Sequence, residues 1–444
     1  QVGIGSILYS GFILVGAILL LVNFVIGRAG LKERAYIFPV LFLLAGLLSS
    51  IVHYQYDFFS NIKLLCCMAI QFSCFYMLKP KWSGKDPREI ANILLQLFFV
   101  LWTIAVIVSL GEFIVGYSCQ LDDSYGALSG RRLGFIDQRL FGVFGDVNYA
   151  AIGSNIVLIG SIFFFLRNRG KKSRQCYYCL CALFNWTYIV LSGSRTAFLA
   201  LLVSAFIISF FLIWKQIVLK RKQKALQFFA PILLSVVLVG LIYGAYVATE
   251  KVSSYVPVAY ERLVESDSGA KGDNDRKVNL KRSDVYNSDN ISNNRFEIWK
   301  DCISVWKTTP IVGATPRGFL HYAQDKFGPN LYIVQVDYES VHNGYISVLA
   351  FSGIIGAIVS LAWIAFLFTT VLRYLLKKEN MTDCNYNQVV FAFSGILIGL
   401  VSSMTLTTMF YSILATDAVF WLLCGLTLYL TKKENNPEPL QMKV

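Results

Sequence analysis

Stretches of about 20 predominantly apolar residues recur along this chain, the length an α-helix needs to cross the hydrocarbon core of a bilayer. From Ala197 to Trp214 there is no charged residue at all. Lipid offers no hydrogen bonds to exposed peptide groups, so segments of this kind must satisfy their backbone internally as helices. Composition agrees. Only 15% of residues are charged and 56% are hydrophobic, against roughly 25% charged in soluble domains, and the mean hydropathy is +0.56. A disordered chain, a disulfide scaffold and a cytosolic enzyme are excluded. The expectation is an all-α, polytopic membrane protein of about 11–12 transmembrane helices. The spans fall roughly at 5–26, 36–52, 61–78, 90–117, 148–166, 176–192, 197–216, 226–248, 343–372, 389–409 and 412–430.

The net charge of +13 would suggest nucleic acid if it were spread over one face. Instead it sits in alternate connections, in clusters such as Arg167 to Arg174 and Lys215 to Lys224. By the positive-inside rule these loops are cytoplasmic, so the basic balance reports topology and no nucleic-acid partner is expected. The C-terminus then lies inside and Gln1 outside, with room before it for a segment holding a twelfth span.

Four regions follow: N-terminal spans 1–117; central spans 118–248 with an outer loop 118–147; a large extracytoplasmic loop 249–342; and C-terminal spans with a cytoplasmic tail, 343–444. The large loop has 12 Lys/Arg and 13 Asp/Glu, so it is no general polyanion sink. Its middle, Glu265 to Asn294, is nearly devoid of apolar residues and is expected to be mobile. An amphipathic helix is expected over about 294–309. It would open on a capping box between Asn294 and Glu297, present Trp299, Cys302 and Trp306 at helical spacing, and stop at Pro310. Of ten cysteines only Cys119 and Cys302 lie outside, which allows at most one structural disulfide. Cys176 and Cys179 have metal-ligand spacing but no second pair, so no metal is expected.

Ionisable residues at the outer ends of spans mark where chemistry could sit. In Ser192-Gly193-Ser194-Arg195-Thr196 the hairpin is so short that Arg195 must lie at the outer interface. Ser194 or Thr196 can cap the following helix, leaving free N–H groups beside a guanidinium, which suits phosphate oxygens; a snorkelling arginine is the plainer alternative. Arg295 begins the amphipathic helix, where a cation opposes the macrodipole unless an anion is bound. His342, in Val341-His342-Asn343-Gly344-Tyr345, stands at the mouth of a span and can take a hydroxyl proton. Arg139 to Asn148 leads from the outer loop into a span, through either a binding segment or an ordinary glycine-rich turn.

These residues resemble the bacterial O-antigen ligase and O-antigen polymerase superfamily of membrane glycosyltransferases. The resemblance rests on Ser192 to Arg195, on Arg295 to Trp299 continuing through Pro310 and Gly313, on His342-Asn343, and on Arg139-x-x-Gly142-x-Phe144 leading to Asn148. Val147 stands where that family commonly has proline. The resemblance covers about residues 130–370 and implies a GT-C-like fold with its active site on the periplasmic side of the inner membrane. It further implies a polyprenyl-diphosphate-linked glycan donor, a glycan acceptor, surrounding membrane lipid, and neither metal nor cofactor. Arg195 and Arg295 would hold the diphosphate and His342 would act as general base. Arg139, Ser194, Asn148, Trp299, Asn343 and Tyr345 would contact substrate. A chain-length regulator and a flippase are further expected partners. The Phe144 to Ala150 stretch looks more like polymerases than ligases; ligation to lipid A core, and transport of a lipid-linked glycan, are the alternatives.

Overall fold

The computed structural model describes residues 34–78, 86–122, 130–220, 224–265, 278–280, 294–336 and 340–432. The expected span at 5–26, and nearly all of the stretch expected to be mobile, lie outside these. In chain order the helices are α1 (Arg34–Val52), α2 (Phe58–Gln71, continued by a π-helical turn Phe72–Tyr76) and α3 (Pro87–Ile114). Strands β1 (Ser118–Gln120), β2 (Arg132–Ile136) and β3 (Arg139–Gly142) come next. They are followed by α4 (Val147–Arg167), α5 (Lys172–Ser192), α6 (Arg195–Lys220), α7 (Lys224–Ser253) and α8 (Val256–Glu265). The chain closes with α9 (Arg295–Thr308), α10 (Phe319–Phe327), the single turn α11 (Tyr332–Gln335), α12 (Gly344–Leu376), α13 (Tyr386–Ser402) and α14 (Ala415–Leu430). Seven helices among the described residues are long and apolar enough to cross a membrane, and α13 and α14 are shorter apolar helices. The chain is a multi-pass, predominantly helical membrane protein.

Two compact units divide the chain: one comprises residues 1–91, 292–377 and 402–444, the other 92–291 and 378–401. In the second unit, small residues on α4 admit large ones from α3. A Cβ on Gly153 would fall 2.1 Å from Trp102, and one on Gly160 equally close to Phe99. The connection between α3 and α4, expected as an outer loop, carries something the apolar pattern did not suggest, a three-stranded antiparallel sheet in the order β1-β2-β3. Its Leu140 and Phe135 pack on a core of Val106, Phe113, Ala150, Tyr188 and Leu191. Val278 and Leu280, the described piece of the polar stretch, pack on this same cluster, and the Val278 N–H donates to Ser254 O at 3.1 Å. That piece is anchored.

In the first unit α14 lies against the π turn after α2, where a Cβ on Gly425 would meet Tyr76 O at 2.4 Å. Trp363 Nε1 donates to Tyr76 Oη at 3.1 Å, giving a buried indole the partner its N–H needs. The long helix α12 breaks at Gly353, whose φ is 62°. Residues 310–315 fill the break. Ala314 N donates to Ala350 O (2.8 Å) and Thr315 N to Phe351 O (3.2 Å), while Ile354 N donates to Pro310 O at 2.9 Å. Ser49 Oγ on α1 adds a bond to Phe351 O at 2.8 Å. Irregular backbone inside a membrane protein survives where other protein groups satisfy it, and here a loop from outside the helix does so.

The expected two-residue turn between spans at 410–411 is instead a twelve-residue irregular segment, 403–414, between α13 and α14. Within it the Ser403 hydroxyl bonds that of Thr408, and Met409 and Tyr411 have φ of 69° and 55°.

Candidate active site

In the second unit the candidate residues are tied in one knot. Gly193 ends α5 with φ 57°, a left-handed cap that glycine adopts without strain. Ser194 follows, buried at 2% exposure. Its Oγ accepts from Ala197 N at 3.4 Å, capping α6, and donates to Asn148 Oδ1 at 3.0 Å. Arg139, on β3, donates through Nη2 to the same Asn148 oxygen (2.8 Å) and through Nε to Ser192 O (2.9 Å). Asn148 is itself placed by Asp146, whose carboxylate caps α4 by accepting from the N–H groups of Asn148 and Tyr149. Gly142 is needed because its φ is 60° and a Cβ there would overlap Ser109 Oγ. Phe144 wedges between Trp102 and Tyr188. The result is a rigid start to α6 with Arg195 exposed on its first turn. Arg139, Asn148 and Ser194, expected to touch substrate, here hold the turn that displays Arg195.

In the first unit α9 carries Arg295 at its first position, partly exposed. The expected capping box is absent: Asn294 adopts φ 60° and caps nothing with its side chain. Its Nδ2 donates instead to Tyr332 Oη at 2.8 Å, so tertiary contact displaces the local motif. The buried stripe of α9 is Ile298, Cys302 and Val305, with Trp299 and Trp306 flanking it rather than forming it. Trp299 Nε1 donates to Val341 O at 3.1 Å. That bond brings Trp299 against the residue preceding His342, one helical turn from Arg295, about 6 Å along the axis. Phe296 is exposed and meets the Trp299 ring edge-on.

His342 has φ 49°, a left-handed conformation uncommon for non-glycine residues. Asn343 caps α12: its Oδ1 accepts from Tyr345 N and Ile346 N, each at 3.0 Å. Its Nδ2 donates to Met404 O at 2.9 Å. Tyr345 is partly exposed on the first turn of that helix. Nearby in the same unit His53 Nε2 meets Thr309 Oγ1 at 3.0 Å. Burial holds the His53 imidazole below its usual range, a backbone bond from Gly313 raises it, and the charge of Lys326 lowers it further. Cys119 and Cys302 are free thiols. Within the first unit the structure joins Trp299 to the residue before His342, and within the second it joins Arg139, Asn148 and Ser194 beside Arg195.

Missed in the sequence were Ser340 and the 403–414 segment beside His342; its run of hydroxyls within an apolar stretch was the available signal.

Residues 179–361 match the family model described as O-Antigen ligase, a stretch that contains Arg195, Arg295 and His342 and leaves Arg139 and Asn148 outside. The match, over less than half of the chain, supports a likeness to the O-antigen ligase and polymerase superfamily of membrane enzymes. No curated protein matches the chain.

Proposed function

We propose that this chain, carrying an O-antigen ligase family domain, polymerises polyprenyl-diphosphate-linked oligosaccharide repeats of O-antigen or capsule type on the outer face of the inner membrane. The observation that carries the reading is Arg195. It is exposed on the first turn of a helix whose preceding serine is buried and bonded, a setting with N–H donors and a guanidinium suited to phosphate oxygens. Arg295 supplies the second guanidinium. The two hold the donor's diphosphate and stabilise the charge that builds as the anomeric carbon–oxygen bond breaks. His342 takes the proton of the acceptor hydroxyl, whose oxygen bonds to the anomeric carbon. Polyprenyl diphosphate leaves, and the arginines meet its charge without a metal ion.

Trp299 and Tyr345 offer ring faces and edges to sugar, and Asn343 fixes the backbone beside the base. A second reading, transfer of finished glycan to lipid A core, is favoured by the description of the matched family; the Phe144 to Ala150 approach favours polymerisation. Lipid-linked repeat units incubated with purified protein, with and without lipid A core, separate the two. Laddered lipid-linked products support polymerase, modified core supports ligase, and neither product with delivery of the lipid across vesicles would favour a transporter.

A further inference from the structure

We propose that the irregular segment 403–414 is the positioning device for His342, with Thr407 as its contact and Asp417 as its internal anchor; this rests on the reading of His342 as the base. Four hydrogen bonds join the segment to residues flanking His342 within the first unit. Thr407 Oγ1 pairs with Ser340 Oγ at 3.2 Å, and that same Ser340 oxygen accepts from His342 N at 3.4 Å. On the other side Asn343 Nδ2 donates to Met404 O at 2.9 Å. Gly344 N is shared between Ser403 O (2.8 Å) and Leu406 O (3.0 Å). Gly344 fits because a Cβ there would come to 3.0 Å from Thr408 O. His342 thus keeps its left-handed backbone because its neighbours on both sides are held by this one segment, as strained residues require.

The segment has no helix of its own to keep its shape. Asp417, at 2% exposure, does so from the first turn of α14. One carboxylate oxygen accepts from Met409 N at 3.0 Å, and the other from Leu414 N at 3.0 Å and Ser412 Oγ at 2.5 Å. Trp421 Nε1 closes on Met409 O at 3.1 Å, and Ser403 bonds Thr408 across the loop. A buried carboxylate is tolerated only when so many donors meet it. Here the donors are the loop's own, so the charge folds the loop rather than facing a substrate.

The test compares Thr407→Val, Thr407→Ser, Asp417→Asn and His342→Ala in the polymerisation assay with lipid-linked repeat units extracted from the source cells. Thr407→Val is near-isosteric and keeps the fold. It is expected to lower kcat about tenfold or more, since a base displaced by about 1 Å can lose ~10²-fold, with KM for the lipid-linked donor within twofold. Thr407→Ser restores kcat because the oxygen returns. Asp417→Asn, whose amide turns a donor toward a backbone N–H, repeats the kcat loss. If His342→Ala is inactive while Thr407→Val and a monodisperse Asp417→Asn both keep wild-type kcat, the positioning role is refuted and the base survives. Equal loss in Thr407→Val and Thr407→Ser also refutes it. Full activity in His342→Ala removes the base itself and the inference with it.

Discussion

The start of α6 and the mouth of α12, in different units, each display one candidate side chain, and they are held in unlike ways. Arg195 stands on a turn whose cap is local, a glycine that ends one helix and a serine that begins the next, braced by a single earlier segment through Asn148 and Arg139. His342 stands on backbone whose shape is imposed from afar, by α9 through Trp299 and by residues some sixty positions later through Met404, Ser403 and Leu406. A phosphate grip tolerates being local, because two or three donors at a helix start suffice. A base must be aimed, and aiming takes constraints from several directions.

The largest test of that comparison is chemical. Arg195→Ala and Arg295→Ala should each lower turnover about 10²–10³-fold if both meet developing charge on the diphosphate, read as loss of laddered glycan at unchanged protein level. Arg295→Lys should fare nearly as badly, because an ammonium lacks the planar fork; full activity in the Lys variant would refute bidentate contact. Next in size is Gly353→Ala. It places a Cβ 2.2 Å from Ile311 O at a φ of 62° and should destabilise the first unit by more than the ~1–3 kcal/mol of backbone strain alone. Faster amide exchange at Ala314 and Thr315 would report it; unchanged exchange would mean that the inserted loop does not depend on the bend.

Asn148→Ala should cost about 1–3 kcal/mol, the penalty for leaving the Arg139 and Ser194 donors without their shared acceptor, visible as a lower melting temperature. If activity fell without any loss of stability, Asn148 would touch substrate as well as hold the turn. The smallest effect concerns pH. The folded-state pKa of His53 lies below the ordinary 6.5, so the unfolded chain binds more protons as pH drops below about 6.5. Stability from this site is complete above that pH and is lost as pH falls toward the lowered folded value. His53→Gln should flatten that slope in a thermal-melt series.

Much of this contrast was visible in the residues themselves. Apolar runs placed the long helices, because burying a peptide in lipid leaves few options. Ser192 to Arg195 could be read as a cap and a displayed cation because the cap itself lies within a few positions, whereas the brace from Asn148 and Arg139 comes from about fifty positions earlier in the chain. The small sheet of β1 to β3 was hidden, since its strands are short and lean on Tyr188 and Phe113 from other helices. The Asn294 cap failed for the same kind of reason: a distant tyrosine took the side chain that a capping box would need. Segment 403–414 read as two spans almost touching, because hydropathy registers its phenylalanine and leucines but not the carboxylate of Asp417 that gathers the segment's donors.

The seating of residues 310–315 in the gap of α12 has a practical corollary for anyone exchanging loops between related chains. The guest backbone completes the host helix's own ladder, so a transplanted loop arrives with obligations to one bent residue in the recipient. Chimeras that carry the loop without a glycine at the position of Gly353, or the bend without its loop, should leave buried peptide groups stranded without partners.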